Sequence, residues 1–301
     1  MKTRYSILLL CLLVLQSFGT ALHAQNDEPK FPVVTLKTTA GDLSIYLYRD
    51  TPKHRDNFLK LVNENVYDSS RFSKIEKMGV LQGGALKAFK PADSACRVNQ
   101  NEVGYELTAE HKHDRYFHKK YAVAMAQKDI RYNAEYKTSG NQFYIVMGMP
   151  QSDGQLTQAE INAQNLQLQM FGQTDFLQRD DQQWLYSMDW KKIQEEYPDS
   201  LRKIGEKLQS QMTTAFEKEN KRFKFTEDQK AVYKELGGLP ERDYTGTVFG
   251  EVVAGSEVAD QLALAEVDAN SYPKVPIYIL DAKIEQLTAK EIKGKYGIET
   301  K

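Results

Sequence analysis

The sequence predicts a mainly β protein, a closed antiparallel barrel with two helices of its own and a helical insertion. Three observations lead there. Short runs of alternating apolar and polar residues recur early and late in the chain, the period of half-buried strands. Only two amphipathic helix patterns accompany them, and many short strands with few helices are best satisfied by a sheet that closes and leaves no bare edge. Between residues 149 and 236 the composition shifts to Gln, Lys, Glu and Asp with a helical period.

The first residues read as an address. Lys2 and Arg4 precede a run from Ser6 to Leu15 that is mostly Leu, Ile and Val, too short to span a bilayer, with small residues Ser17, Gly19, Ala21 and Ala24 after it. A secretory signal peptide over 1–24 is expected, cut near Ala24, with Cys11 inside the apolar run and no lipoprotein signal around it.

Each later element has its own local cause. Val34, Leu36 and Thr38, then Leu43, Ile45 and Leu47, alternate on either side of Ala40-Gly41-Asp42, a hairpin whose glycine takes the turn. Thr51 is the expected cap and Pro52 the first residue of a helix with the apolar stripe Phe58, Leu59, Leu61, Val62, Val66. Strands are expected at 70–83, 121–127, 142–148 and 246–253, a short helix from Ser256 to Leu264, and a last strand from Val275 to Glu285. Inside the insertion, Thr157 with Glu160 and Thr226 with Gln229 have capping-box spacing. Leu201, Ile204, Leu208, Met212 and Phe216 fall on one helix face. The domain reading is therefore a barrel over 25–148 and 237–301, with a helical insertion over 149–236. Because the flanking strands carry their own patterns, the barrel is expected to fold without residues 150–235.

Composition excludes several function classes. The 40 basic and 41 acidic residues nearly cancel, and loss of Lys2 and Arg4 with the leader takes the net charge from −1 to −3, which offers nothing to nucleic acid. Of the two cysteines only Cys96 lies beyond the leader, so no intrachain disulfide is expected, and it reads as a buried thiol. Phe117-His118-Lys119-Lys120, with His111 and His113, forms a small histidine cluster. No Cys or carboxylate spacing completes a metal site there, and it reads as a solvated loop. No phosphate-binding glycine loop and no Gly-x-Ser-x-Gly elbow is present.

Three separated segments carry the most specific signal: Phe72-Ser73-Lys74-Ile75 leading into Leu81-Gln82-Gly83-Gly84, then Ser139-Gly140-Asn141-Gln142-Phe143-Tyr144-Ile145-Val146, then Thr247-Val248-Phe249-Gly250-Glu251-Val252-Val253. In this order they resemble the cyclophilin family of peptidyl-prolyl cis/trans isomerases, in particular its secreted bacterial branch with a helical insert. The resemblance covers about 33–148 and 237–286. It implies a cyclophilin-like barrel of eight strands with a helix capping each end, no cofactor or metal, and proline-containing polypeptides as partners. Together with the leader it implies a protein secreted across the inner membrane into the periplasm. The oligomeric state stays open.

Rotation about an X–Pro bond meets a barrier of roughly 18–20 kcal/mol. No bond breaks, so a catalyst needs only an apolar seat for the ring and donors that favour the twisted amide. A cation hydrogen-bonded to the prolyl nitrogen suits this. In the resemblance Lys74 stands at the family's arginine and Gln82 at the glutamine that steadies it; these two are the expected catalytic residues. Gln142 matches the glutamine that clamps the peptide backbone. Tyr144, Met78, Val80 and Met125 are the expected pocket walls, and Ala126 and Gln127 continue the stretch that flanks the peptide. The departures are Lys74 for arginine, Ser73 for a histidine, Gly79 where a pocket phenylalanine is expected, Glu241 for a tryptophan, Arg242 for a large apolar residue and Gly246 for a histidine. The expected function is prolyl isomerisation in exported proteins, reduced by Lys74, which lacks the planar fork of arginine. The alternative is a non-catalytic peptide-binding chaperone or docking protein on the same barrel.

Overall fold

The computed structural model describes residues 28–86, 103–127, 133 and 135–300. The expected leader and Cys96 lie outside the described residues. The strands are β1 (Lys30–Thr38), β2 (Gly41–Leu47), β3 (Arg71–Phe72), β4 (Lys74–Ile75), β5 (Val80–Gly83), β6 (Glu106–Leu107), β7 (Ala122–Gln127), β8 (Thr138–Val146), β9 (Val248–Ala254) and β10 (Ile277–Thr288). They form one ten-stranded sheet in the order β3-β10-β1-β2-β9-β7-β8-β5-β4, with β6 paired to β8. Every pair is antiparallel. The hydrogen-bonded path has two ends, β3 and β4, and these are successive pieces of chain separated by Ser73 alone.

Side-chain alternation sorts the sheet's two faces. Leu36, Leu43, Ile45, Leu81, Val123, Phe143, Ile145 and Phe249 point into the main core, with Phe58 and Leu61 of helix α1 (Pro52–Asn63) packed on them. The residues between them, Tyr46, Val80, Ala122, Ala124, Tyr144, Val146 and Val248, form a second cluster on the other face. A strand's period of two makes this division, and a slip of one residue would exchange the faces.

Helix α1 starts at Pro52, but Thr51 makes no side-chain cap. Glu110 caps the helix from a distant loop: its carboxylate accepts from the backbone N–H groups of Lys53 at 3.1 Å and His54 at 3.0 Å, and bonds the His54 ring at 2.6 Å. Burial alone would push the Glu110 carboxyl up, but the hydrogen bonds from the His54 ring and from the two backbone N–H groups outweigh it and hold it below its ordinary value. Glu110→Ala is expected to cost roughly 2 kcal/mol at neutral pH, a cap and a charge-assisted bond together. A carboxyl held low in the fold stabilises above its unfolded pKa and stops doing so as pH falls through the folded value. Urea melts should therefore show the gap between wild type and variant shrinking from pH 7 toward about pH 3. A gap that stays constant would show that the carboxylate contributes nothing.

Between β8 and β9 the chain is helical: α2 (Asp153–Thr174), α3 (Trp190–Glu196), α4 (Pro198–Glu219) and α5 (Glu227–Glu235), with two 3₁₀ turns before α3. The Thr226–Gln229 box caps α5. The first box lies earlier than its expected place: Ser152 and Gln155 cap α2, and Thr157 sits inside the helix with its hydroxyl on the Asp153 carbonyl. Leu156, Ala159 and Ala163 of α2, Phe223 and Phe225 just before α5, and Tyr233 of α5 form a third cluster, and Phe117 and Tyr244, outside this helical stretch, pack against it. This shared cluster runs against the expectation that the barrel folds without 150–235. The chain continues through α6 (Ser256–Ala263) to β10 and a further helix, α7 (Ala289–Tyr296), capped by Thr288 and Glu291. That capping-box spacing is visible in the sequence, and the last strand was expected to end without it.

Candidate active site

One row of residues crosses the outer face of the sheet. Lys74 on β4 is paired with Gln82 on β5, Gln82 with Tyr144 on β8, Tyr144 with Ala124 on β7, and Ala124 with Val248 on β9. Direct cross-strand partners lie about 5 Å apart, so the ladder alone brings these distant segments together. Gln142, two residues along β8, shares the face, and the Gln82 side-chain amide donates to its carbonyl oxygen at 2.7 Å. Gly84 fixes this pair. Its φ is +83° and a Cβ there would stand 2.4 Å from the Asn141 carbonyl oxygen; only glycine allows that approach. The buried Asn141 side chain then donates to the Gly84 carbonyl at 2.7 Å, locking the end of β5 beside the start of β8.

Charged groups occupy the ground beside Tyr144. Lys74 Nζ pairs with Glu76, and the other Glu76 oxygen lies 3.7 Å from an Arg242 guanidinium nitrogen. The Arg242 guanidinium carbon sits 5.2 Å from the centroid of the Tyr144 ring, in cation–π range. The turn between β4 and β5 is tight, with the Gly79 N–H on the Glu76 carbonyl. A Cβ at Gly79 would stand 2.9 Å from Glu76 Cβ and 3.3 Å from Glu76 Oε2. The Glu76 side chain therefore fills the space a phenylalanine at Gly79 would need.

The departure at Gly246 is explained in the same way. A Cβ at Gly246 would fall 2.5 Å from two ring atoms of His118. The His118 imidazole thus stands where a side chain at Gly246 would begin. His118 is fully buried, against the expectation of a solvated loop. Its Nδ1 lies 2.8 Å from Asp243 Oδ1 and its Nε2 2.8 Å from the Tyr144 hydroxyl. Asp243 also accepts from the His118 backbone N–H at 2.6 Å and from the Tyr233 hydroxyl at 2.6 Å. A carboxylate only accepts, so His118 donates from Nδ1 and its Nε2 receives the Tyr144 hydroxyl. Burial pushes the Tyr144 phenol up to about 12, against the opposite pull of Arg242. Burial, with Asp243 beside it, also raises Tyr233 well above its ordinary value. Both phenols are therefore donors at neutral pH.

The remaining expected residues divide. Val80 packs in the outer cluster with Tyr144, and Ala126 borders it. The Gln127 amide donates to the backbone carbonyls of Tyr136 and Thr245, tying β7 to the chain just before β9. Met125 is not a pocket wall. It is fully buried in the main core opposite Phe143, because it alternates with Ala124 and Ala126. Met78 sits on the β4–β5 turn at φ +58°, 64% exposed. Sequence reasoning missed Glu76, His118 and Asp243. The signal for the first two was the paired departure, a small residue where a large one is expected and an unassigned Glu or His elsewhere; nothing in the sequence pointed to Asp243.

A family model for the cyclophilin type peptidyl-prolyl cis-trans isomerases matches residues 33–175. A peptidyl-prolyl cis-trans isomerase of Helicobacter pylori is 27% identical over 135 residues, 44% of this chain and 74% of that protein. A putative bifunctional phosphatase/peptidyl-prolyl cis-trans isomerase of Streptococcus pyogenes is 31% identical over 116 residues, 38% of this chain and only 22% of that longer protein. Among solved structures, a cyclophilin type peptidyl-prolyl cis-trans isomerase of Cryptosporidium parvum aligns over 85% of this chain and 98% of its own length, at 17% identity and a TM-score of 0.47.

Proposed function

Because this chain belongs to the cyclophilin-type peptidyl-prolyl cis/trans isomerases, we propose that it isomerises X–Pro bonds of exported proteins, slowly, with Lys74 as the cationic donor. The observation that carries this is the Gln82–Gln142 amide pair, 2.7 Å apart, with Gln82 in one ladder row with Lys74 and Tyr144 and Gln142 on the same face. A glutamine held by a neighbour keeps one orientation, so it can meet a peptide backbone without reordering. Lys74 adds a single point-charge donor for the prolyl nitrogen as the amide twists. Its pairing with Glu76 offsets part of that charge, a second reason to expect weak turnover. The leader pattern in residues 1–24 supports export to the periplasm. The closed form of the barrel belongs to the same reading. Arg71 is paired with Tyr278 on one side and bridged to Ala85 on the other, which supports closure at the two ends of the sheet.

A protease-coupled prolyl-peptide assay tests the activity. Lys74→Arg is expected to raise kcat/KM about tenfold, by restoring the fork, and Lys74→Ala to lower it toward the uncatalysed rate. Background rates for both wild type and Lys74→Arg would sink the enzyme reading.

One observation favours the alternative, a peptide-binding chaperone. Both tryptophans of the chain lie on the insertion, Trp184 41% and Trp190 36% exposed, beside Tyr186 at 65% and Tyr197 at 56%. Exposed aromatics of this kind serve as contact anchors. If Trp184→Ala with Tyr186→Ala abolishes capture of an unfolded polypeptide while prolyl turnover stays at background, the chaperone reading replaces the isomerase.

A further inference from the structure

We propose that Arg242 is a specificity-determining gate over the proline seat, latched by Glu76, and that it selects segments carrying an acidic side chain next to the proline. This rests on the isomerase reading for its substrate, though not for its geometry.

Tyr144 is the expected floor for a proline ring, yet it is only 4% exposed. Its hydroxyl is engaged by His118, and the Arg242 guanidinium lies over its ring, 5.2 Å from the centroid. A proline ring needs that face of the tyrosine. Arg242 must leave before the seat exists.

The latch follows from the substitutions around it. Glu76 fills the space above Gly79 and holds Arg242 at 3.7 Å on one oxygen while pairing with Lys74 on the other. The seat's two apolar walls, a phenylalanine and a large apolar residue in the resemblance, are thus replaced by one Lys–Glu–Arg chain of charges. Arg242 is about two-fifths exposed, 38%. It can therefore swing outward into water without disturbing a core.

Opening the gate separates Arg242 from Glu76 and from the tyrosine face. A carboxylate on the incoming chain re-pairs the guanidinium in its open position, in the bidentate geometry arginine favours. A lysine in the same place meets Arg242 and Lys74 with like charge. Both effects act at a half-exposed, salt-screened site, so each is modest.

The test compares the full chain with Arg242→Leu and Glu76→Gln, using tetrapeptide anilides Ala-Xaa-Pro-Phe with Xaa Glu, Ala or Lys. Turnover is read in the coupled assay, and peptide affinity by titration with an Ala-Ala-Pro-Phe peptide and its Ala-Ala-Ala-Phe counterpart. Wild type should prefer Glu over Lys by about fivefold at low salt. Arg242→Leu should bind the proline peptide about fivefold tighter, leave the alanine peptide unchanged, and reduce the Glu-over-Lys preference to about twofold, the part owed to Lys74. Glu76→Gln releases the latch without touching Tyr144 and should move proline affinity the same way by less. Unchanged or weaker proline binding in both variants would overturn the gate. Tighter proline binding with turnover at background throughout would keep the gate and reject the isomerase. An active wild type whose Arg242→Leu variant binds no better would do the reverse.

Discussion

Asp243→Ala is expected to destabilise the protein by about 3 kcal/mol, measured by urea unfolding at neutral pH. The carboxylate is fully buried and accepts three hydrogen bonds, from the His118 backbone, the His118 ring and the Tyr233 hydroxyl. An alanine leaves all three donors without a partner and without access to water. Each buried orphan costs on the order of 1 kcal/mol or more. Asp243→Asn keeps one acceptor oxygen and the side-chain shape, so its loss should be about half as large. The site should respond as well. His118 holds the Tyr144 hydroxyl at 2.8 Å only while Asp243 fixes its tautomer and angle. Prolyl turnover in Asp243→Ala should therefore fall further than in Asp243→Asn. A stability loss below about 1 kcal/mol would mean that water or a shifted side chain satisfies the three donors.

Deleting residues 150–235 with a short Gly/Ser bridge is expected to abolish cooperative folding. The deletion removes Tyr233, fully buried and bonded to Asp243, and uncovers Phe117 and Tyr244, which pack against the insertion's cluster. Removing one buried aromatic costs about 3–5 kcal/mol, a large share of what a domain of this size has in hand. A shorter deletion, 168–220, should be tolerated. It keeps Leu156, Ala159, Ala163, Phe223, Phe225 and Tyr233. Its ends are already close, since Gln167 accepts from the Phe223 N–H at 2.7 Å and its amide reaches the Lys221 carbonyl at 3.4 Å. Thermal melts followed by circular dichroism separate the cases. A cooperative melt of the long deletion would show that the sheet's core is complete without residues 150–235. A molten product from the short one would show that the outer helices also carry the fold.

Much of the architecture was legible because its causes are local. The hairpin of β1 and β2, helix α1, the Thr226–Gln229 cap and the three ladder segments with Gln82, Gln142 and Tyr144 each follow from neighbours in sequence, a period of two or 3.6 and a turn residue between. Met125 was misassigned for the opposite reason. Its place next to Ala126 said nothing about which face it would take, and the register of β7 against β8 sent it to the core.

What the sequence by itself determined is where most of the strands lie, the β1–β2 hairpin, and the positions of Lys74, Gln82, Gln142 and Tyr144 within their strands. What only the tertiary structure decided is which charges meet. Glu110 caps a helix 56 residues away, Asp243 holds a histidine 125 residues away, and Glu76 reaches Arg242 across the sheet's outer face. Periodicity tells a chain which side of a strand faces water. It carries no record of which distant loop the sheet will bring over that side. A polar group's partner is chosen by proximity after the sheet has formed, and a buried charge must then find one. For that reason the residues gathered around Tyr144, Glu76, His118 and Arg242, read as a surface acid, a loop histidine and an unexplained substitution until the strands are placed side by side.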